Sequence, residues 1–292
     1  MVTPPPQVQR TAGESIVGLS SSSPRWERAF IGVSVVAVAV FLLLPGSLEG
    51  KALAALHGLC AQQPTHSLYF GDQRLPFDAR MTGIYGGFAI ASLYMLARGR
   101  WRAGLIPPLS VAIAMATFIV LLAVDGFNSL LLDVRMWHAY EPHNAVRLAT
   151  GLLVGTSLAL FVWMLVSQVG FAREARRRCA PITGLADLGV LLVAQAAFGA
   201  LVDLRFDILR VPLTFLLLEA ALVAVTGLTL AFVLLLGRAE NVARRTRDLA
   251  AHATIALIIA LVVVGAAGGG RFALEAWLDI DPNATVQRGL EE

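Results

Sequence analysis

Five polar residues stand where an otherwise apolar chain tolerates few, and they are the first candidates for chemistry: Glu219, Asp125, Asn144, Arg147 and Thr150. Glu219 is ninth in the apolar stretch Val211 to Gly237, about 12 Å from its start if that stretch is helical. A carboxyl group at such depth in hydrocarbon is costly and marks a functional position by default. Its structural alternatives are a hydrogen bond to Gln195 in the preceding stretch or contact with a partner subunit. Structure is favoured over a proton relay, because no second carboxylate or histidine stands at similar depth. Asp125, Asn144, Arg147 and Thr150 gather at the adjoining ends of two stretches, where Asp125 and Arg147 have the charges for an ion pair and the group has the polarity to hold a small solute. Asp203, Arg205, Asp207 and Arg210 form a charged turn whose simplest reading is solvation.

Several other chemistries lack their residues. A retinal pigment needs a Schiff-base lysine inside a helix, and the single lysine, Lys51, lies in a loop. Histidine-ligated haem at the bilayer centre has no support, since His57, His66, His138 and His143 fall in loops and His252 at the start of a stretch. No glycine-rich phosphate loop ending in Gly-Lys-Ser or Gly-Lys-Thr is present. No cofactor is therefore expected, although contacts with lipid, quinone or carotenoid suit so apolar a surface.

The elements that position these residues follow from composition. Hydrophobic residues make up 57% of the 292 and charged residues 15%, with a mean hydropathy of +0.71. An average soluble domain carries about 25% charged residues, so this chain needs a bilayer as its solvent. A hydrocarbon core of roughly 30 Å takes about 20 apolar helical residues. Seven stretches approach or meet that length: Ala29 to Leu48, Met81 to Ala97, Gly104 to Val124, Val146 to Val169, Gly184 to Val202, Val211 to Gly237, and Ala250 to Ala267. The expected fold is all-α: a polytopic bundle of about seven transmembrane helices over residues 29–270, between a polar tail at 1–28 and an outer tail at 271–292.

Basic residues orient the bundle. With seven spans, Arg10, Arg25, Arg28 and the loops holding Arg98 to Arg102, Arg173 to Arg178 and Arg238 to Arg247 share one side, fourteen basic residues against nine. The excess sets the amino end in the cytoplasm and the carboxyl end outside, in the cell's inner (cytoplasmic) membrane. The net charge of +3 is thus a topology signal, with no nucleic-acid partner implied. Cys60 and Cys179 fall on opposite sides, beyond the reach of a disulfide.

Two outer loops are long enough to carry function, Glu49 to Arg80 and Asp125 to Ala145. Within the first, Lys51 to Cys60 suits a short interfacial helix. It is followed by Cys60-Ala61-Gln62-Gln63-Pro64-Thr65-His66-Ser67 and by Pro76-Phe77-Asp78-Ala79-Arg80-Met81-Thr82-Gly83-Ile84-Tyr85-Gly86-Gly87. Later come Asp125-Gly126 and Asn144-Ala145-Val146-Arg147-Leu148-Ala149-Thr150-Gly151. Over residues 56–155 these motifs resemble the bacterial and archaeal membrane family known as domain of unknown function 2085. That family's pattern runs Cys-His-Gln-x-Pro-x-Arg-Ser, then Pro-x-Cys-Ala-Arg-Cys-x-Gly-Ile-Tyr-x-Gly, then Asp-Gly and Asn-x-x-Arg-x-x-Thr-Gly.

The resemblance implies a soft-metal site, since thiolate and imidazole are the ligands that zinc prefers. Here only Cys60 keeps its place; the histidine position is Ala61, the paired cysteine positions are Asp78 and Met81, and His66 replaces an arginine. Cys60, His66 and Asp78 remain as a three-ligand set, but a site that has lost its metal while keeping its scaffold fits the departures better. The scaffold residues persist: Gly83 and Gly87, and Gly151 and Gly155, each pair four residues apart, which lets helix backbones approach closely in lipid. Close packing of the second and fourth helices follows; Gly265 and Gly269 repeat the spacing more weakly.

These features suggest a non-catalytic membrane subunit of a larger assembly, such as a bioenergetic one of the photosynthetic reaction centre and light-harvesting type, contacting lipids and other integral subunits. A small-solute or ion transporter built on Glu219 and the Asp125 to Thr150 group is the alternative. A metal-dependent membrane enzyme built on Cys60, His66 and Asp78 is a third.

Overall fold

In the computed structural model, residues 24–280 are described; the proline-rich part of the amino tail and the last residues of the carboxyl tail lie outside them. The elements in chain order are α1 (Pro24–Leu43), α2 (Leu48–Leu56), the strands β1 (Ser67–Phe70) and β2 (Gln73–Asp78), α3 (Ala79–Ala97), α4 (Leu109–Asp133), α5 (Asn144–Gly170), α6 (Leu185–Asp203), α7 (Asp207–Leu236) and α8 (Ala250–Trp277).

Among the described residues, six helices are long and apolar enough to cross a membrane, namely α1, α4, α5, α6, α7 and α8. The chain is an all-α polytopic membrane protein with a single antiparallel β-hairpin among its described elements. α3 is helical over 19 residues, but Arg80, two tyrosines and three glycines dilute its apolarity. It buries more than half of those residues, whereas α1 buries none of its 20. A helix enclosed by protein does not need an apolar face on every side, which is why α3 reads weakly as a span.

α3 and α5 form the centre. A Cβ built on Gly83 would stand 2.9 Å from the Gly151 Cα and closer still to the Leu148 carbonyl; one built on Gly155 would stand 2.7 Å from the Phe88 nitrogen. Backbone meets backbone along both glycine pairs, and in lipid such small-residue contacts supply the dispersion attraction that holds helices together. α4, α6 and α7 pack around this pair, α8 packs on α7, and α1 packs on α8. Gly265 and Gly269, by contrast, have nothing within 4 Å of a Cβ and make no such contact.

Several sequence boundaries shift. α4 continues past Val124 to Asp133, so Asp125 and Asn128 are helical rather than part of a loop; both are buried against the protein, which offsets their polarity. α8 continues past Ala267 to Trp277, making Arg271 and Glu275 helical rather than part of a tail. α7 begins at Asp207, so Glu219 is its thirteenth residue, about 18 Å along the axis. The first outer loop holds α2, capped by the Ser47 side chain accepting from the Gly50 N–H at 3.1 Å. After it comes the hairpin, whose turn sets Gly71 at φ +62°, a conformation glycine adopts without cost. Leu68, Phe70, Leu75 and Phe77 bury the hairpin's inner side over the end of α3, where Phe77 stacks on Tyr85 with ring centres 4.8 Å apart.

Candidate functional site: the polar nest at the hairpin end

The hairpin delivers Asp78 to the amino end of α3, and the carboxylate caps the helix by accepting from the Met81 N–H at 2.8 Å. Its other oxygen accepts from the Cys60 thiol at 3.3 Å. That thiol also accepts from the backbone N–H of Gln62 at 3.3 Å. Burial, reinforced by the adjacent Asp78 charge, pushes the Cys60 pKa from 9.0 up to about 12. A thiol held in that state is a hydrogen-bond donor, not a nucleophile or a ready metal ligand. His66 does not join the pair, since its Nε2 faces Asp133 of α4 at 3.5 Å. Burial, with the Arg147 charge adding to it, lowers the His66 pKa and favours the neutral ring. Cys60, His66 and Asp78 therefore do not converge, and among the described residues no three metal-ligating side chains do.

The ion pair at this end is not the one that spacing suggests. Asp125 accepts from Arg80 Nη2 at 2.6 Å, from the second residue of α3, while Arg147 donates to Asn144 Oδ1 at 2.8 Å. The reason is reach: Arg80 extends from the α3 terminus across to α4, and Arg147 is held on α5 by its own neighbour. Asp125, only 2% exposed, also accepts from the Tyr140 hydroxyl at 2.8 Å, and Ser129 accepts from Arg80 at 3.1 Å. Burial and the Asp125 bond raise the Tyr140 pKa. Asn128 clamps the α4–α5 loop through the Tyr140 carbonyl and the Ala139 N–H. Asn144 reaches the hairpin through the carbonyls of Thr65 and Ser67. Thr150 spends its hydroxyl on the Val146 carbonyl of its own helix at 3.0 Å.

These residues all lie in one continuous part of the chain. Residues 60–161 match the family model described as predicted membrane protein (DUF2085). This is the family whose motifs the sequence resembles, and the match takes in the hairpin, α3, α4 and most of α5. No curated protein and no solved structure matches the chain. At the family's paired cysteine positions, Asp78 serves as a helix cap and Met81 packs against the core. The arginine between them, Arg80, carries the ion pair, a role the motif alone does not announce.

Outside the matched segment, Glu219 occupies a different setting. It opens into a crevice between α1 and α7 and, among the described residues, has neither an ion-pair nor a hydrogen-bond partner. Gln195 is not its partner, because the Gln195 amide donates to Thr156 on α5 and stays within the α3–α5–α6 contact. A second feature escapes the motifs altogether. His57 at the end of α2 is hydrogen bonded to Gln62 at 2.9 Å and to Glu275 of α8 at 2.7 Å, and Arg271 donates to the carbonyls of His57 and Ala61. Arg271 and Glu275 stand at i,i+4 spacing, a signal that has meaning only because α8 runs on to Trp277.

Proposed function

We propose that the chain is a non-catalytic integral membrane subunit of a larger membrane assembly, in the cytoplasmic membrane, crossing it seven times with its amino end inside. The observation that supports this reading is the internal pairing of the hairpin-end nest, in which, among the described residues, only the Arg80 and Arg147 Nε atoms are buried without a partner. Cys60 is committed to Asp78, Asp125 to Arg80 and Tyr140, and Asn128 and Asn144 to loop backbone. Such a network fixes the shape of a surface and presents no reactive group, which weighs against both a metal enzyme and a solute site built there.

The topology part rests on the opposite end. The three basic loops interlock there: Ala103 bridges Arg177, Phe171 bridges Ala243, and Arg176 donates to Asn241. One shared basic face is the pattern of a cytoplasmic side. α3 leads from the hairpin to that face, its 19 residues extending about 28 Å, close to the hydrocarbon thickness.

Extraction of native membranes with a mild detergent, followed by a native gel, tests the assembly. The chain is expected to migrate far above its 31.1 kDa mass together with other integral proteins. A band at the monomer position overturns the reading.

A further inference from the structure

The crevice beside α1 consists of three adjoining chambers of about 690, 430 and 180 Å³. The first begins near Glu27 and Arg247 at the basic-loop end and shares Phe30, Trp163 and Leu230 with the second. The second shares Ala37, Val38 and Glu219 with the third, which ends against Leu56 of α2. Together they form a track along α1 with apolar walls. Two polar groups interrupt it on α7: the Glu219 carboxyl, and the Thr226 hydroxyl, which is buried without a hydrogen-bond partner. Seven residues apart, the two stand two turns from each other on one helix face.

Size decides what kind of occupant fits. The two larger chambers, about 690 and 430 Å³, fall within the range of pockets that take small apolar ligands, about 300–1,000 Å³. The elongated track, lined from Phe30 to Leu56, suits one flexible hydrocarbon chain. Polarity decides the head group, since an unpartnered carboxyl in hydrocarbon is costly and a hydroxyl, which both donates and accepts, can hydrogen bond to it. We propose that this crevice binds a single-chain amphiphile, a long-chain alcohol of isoprenoid or acyl type, whose hydroxyl is hydrogen bonded to Glu219 while its chain lies along α1 towards Trp163. The proposal stands independently of the assembly reading.

Two probes, geranylgeraniol and octadecan-1-ol, distinguish the chain types. Each is titrated into the purified full-length protein in detergent, and native mass spectrometry reads the added mass. Saturation at one equivalent is expected for at least one alcohol, and the tighter one names the chain. Glu219→Leu should weaken binding at least tenfold, Glu219→Gln should retain it within a few-fold, and Val38→Trp, which fills the shared chambers, should abolish it. Replacing a membrane acid by leucine does not threaten folding, and helicity by circular dichroism checks each variant. Failure of both alcohols to saturate, or unchanged binding by both Glu219→Leu and Val38→Trp, overturns the proposal.

Discussion

The α3–α5 pair and the α1–α7–α8 group are built from much the same aliphatic residues, yet they pack in opposite ways. In the first, four glycines bring backbones together, and the polar residues at the hairpin end pair with one another. In the second, α1 buries no residue, Gly265 and Gly269 face open space, and Glu219 stands alone in a crevice. Without a hydrophobic force between helices in lipid, closeness depends on small residues being placed opposite one another. The matched family segment has that arrangement between two long helices; outside it a comparable approach is made at Gly58, where a Cβ would stand 2.5 Å from the Gly268 nitrogen of α8. The difference teaches where close packing ends: the α3–α5 side is backbone against backbone, and the α1 side leaves a crevice open for a ligand.

The largest effect should come from breaking the scaffold's ion pair. Arg80→Met leaves Asp125 buried without its cation, which we expect to cost about 3–5 kcal/mol, read as a fall in denaturation midpoint in detergent. Adding Asp125→Leu should recover most of the loss. A single variant as stable as the parent would mean that the nest is solvated and that the contrast between the two halves is false.

A smaller effect tests the glycines directly. In Gly155→Ala the new methyl meets the α3 backbone, and the forced separation should destabilise by about 1–3 kcal/mol. Gly265→Ala, in open space, should instead stabilise by about 0.5–1 kcal/mol through helix propensity. Equal effects of the two would erase the distinction.

The smallest effect is a pH dependence. The Cys60 pKa is raised on folding, so the protonated thiol contributes stability that is fully present below pH 9 and is lost between 9 and about 12. Cys60→Ala should flatten the stability profile in that window. A maleimide at neutral pH should label the part-exposed Cys179 and spare Cys60, and rapid labelling of Cys60 would count against its burial beside Asp78.

Legibility varied with the kind of signal. The apolar stretches were readable because spanning helices need one property over about 20 residues, and α3 was the faint one because enclosure relaxes that need. The glycine pairs were readable as a spacing, since four residues make one helix face. The hairpin was hidden because Leu75-Pro76-Phe77 shows no polar alternation when both sides of the strand are covered. The partner of Asp125 was hidden for a different reason. Arg80 and Arg147 are equally basic, and only the reach of the Arg80 side chain from the α3 terminus to α4 selects it over the nearer-seeming choice.

From the sequence alone came the bilayer as solvent, the helical class, the basic face and the family motifs, because each is a local count or a short period. Tertiary structure decided which charges meet, that Cys60 serves Asp78 rather than a metal set with His66, and that Glu219 opens into a crevice instead of reaching Gln195. Those outcomes depend on distances between segments far apart in the chain, which are set by how closely helix backbones approach, and residue spacing does not record them.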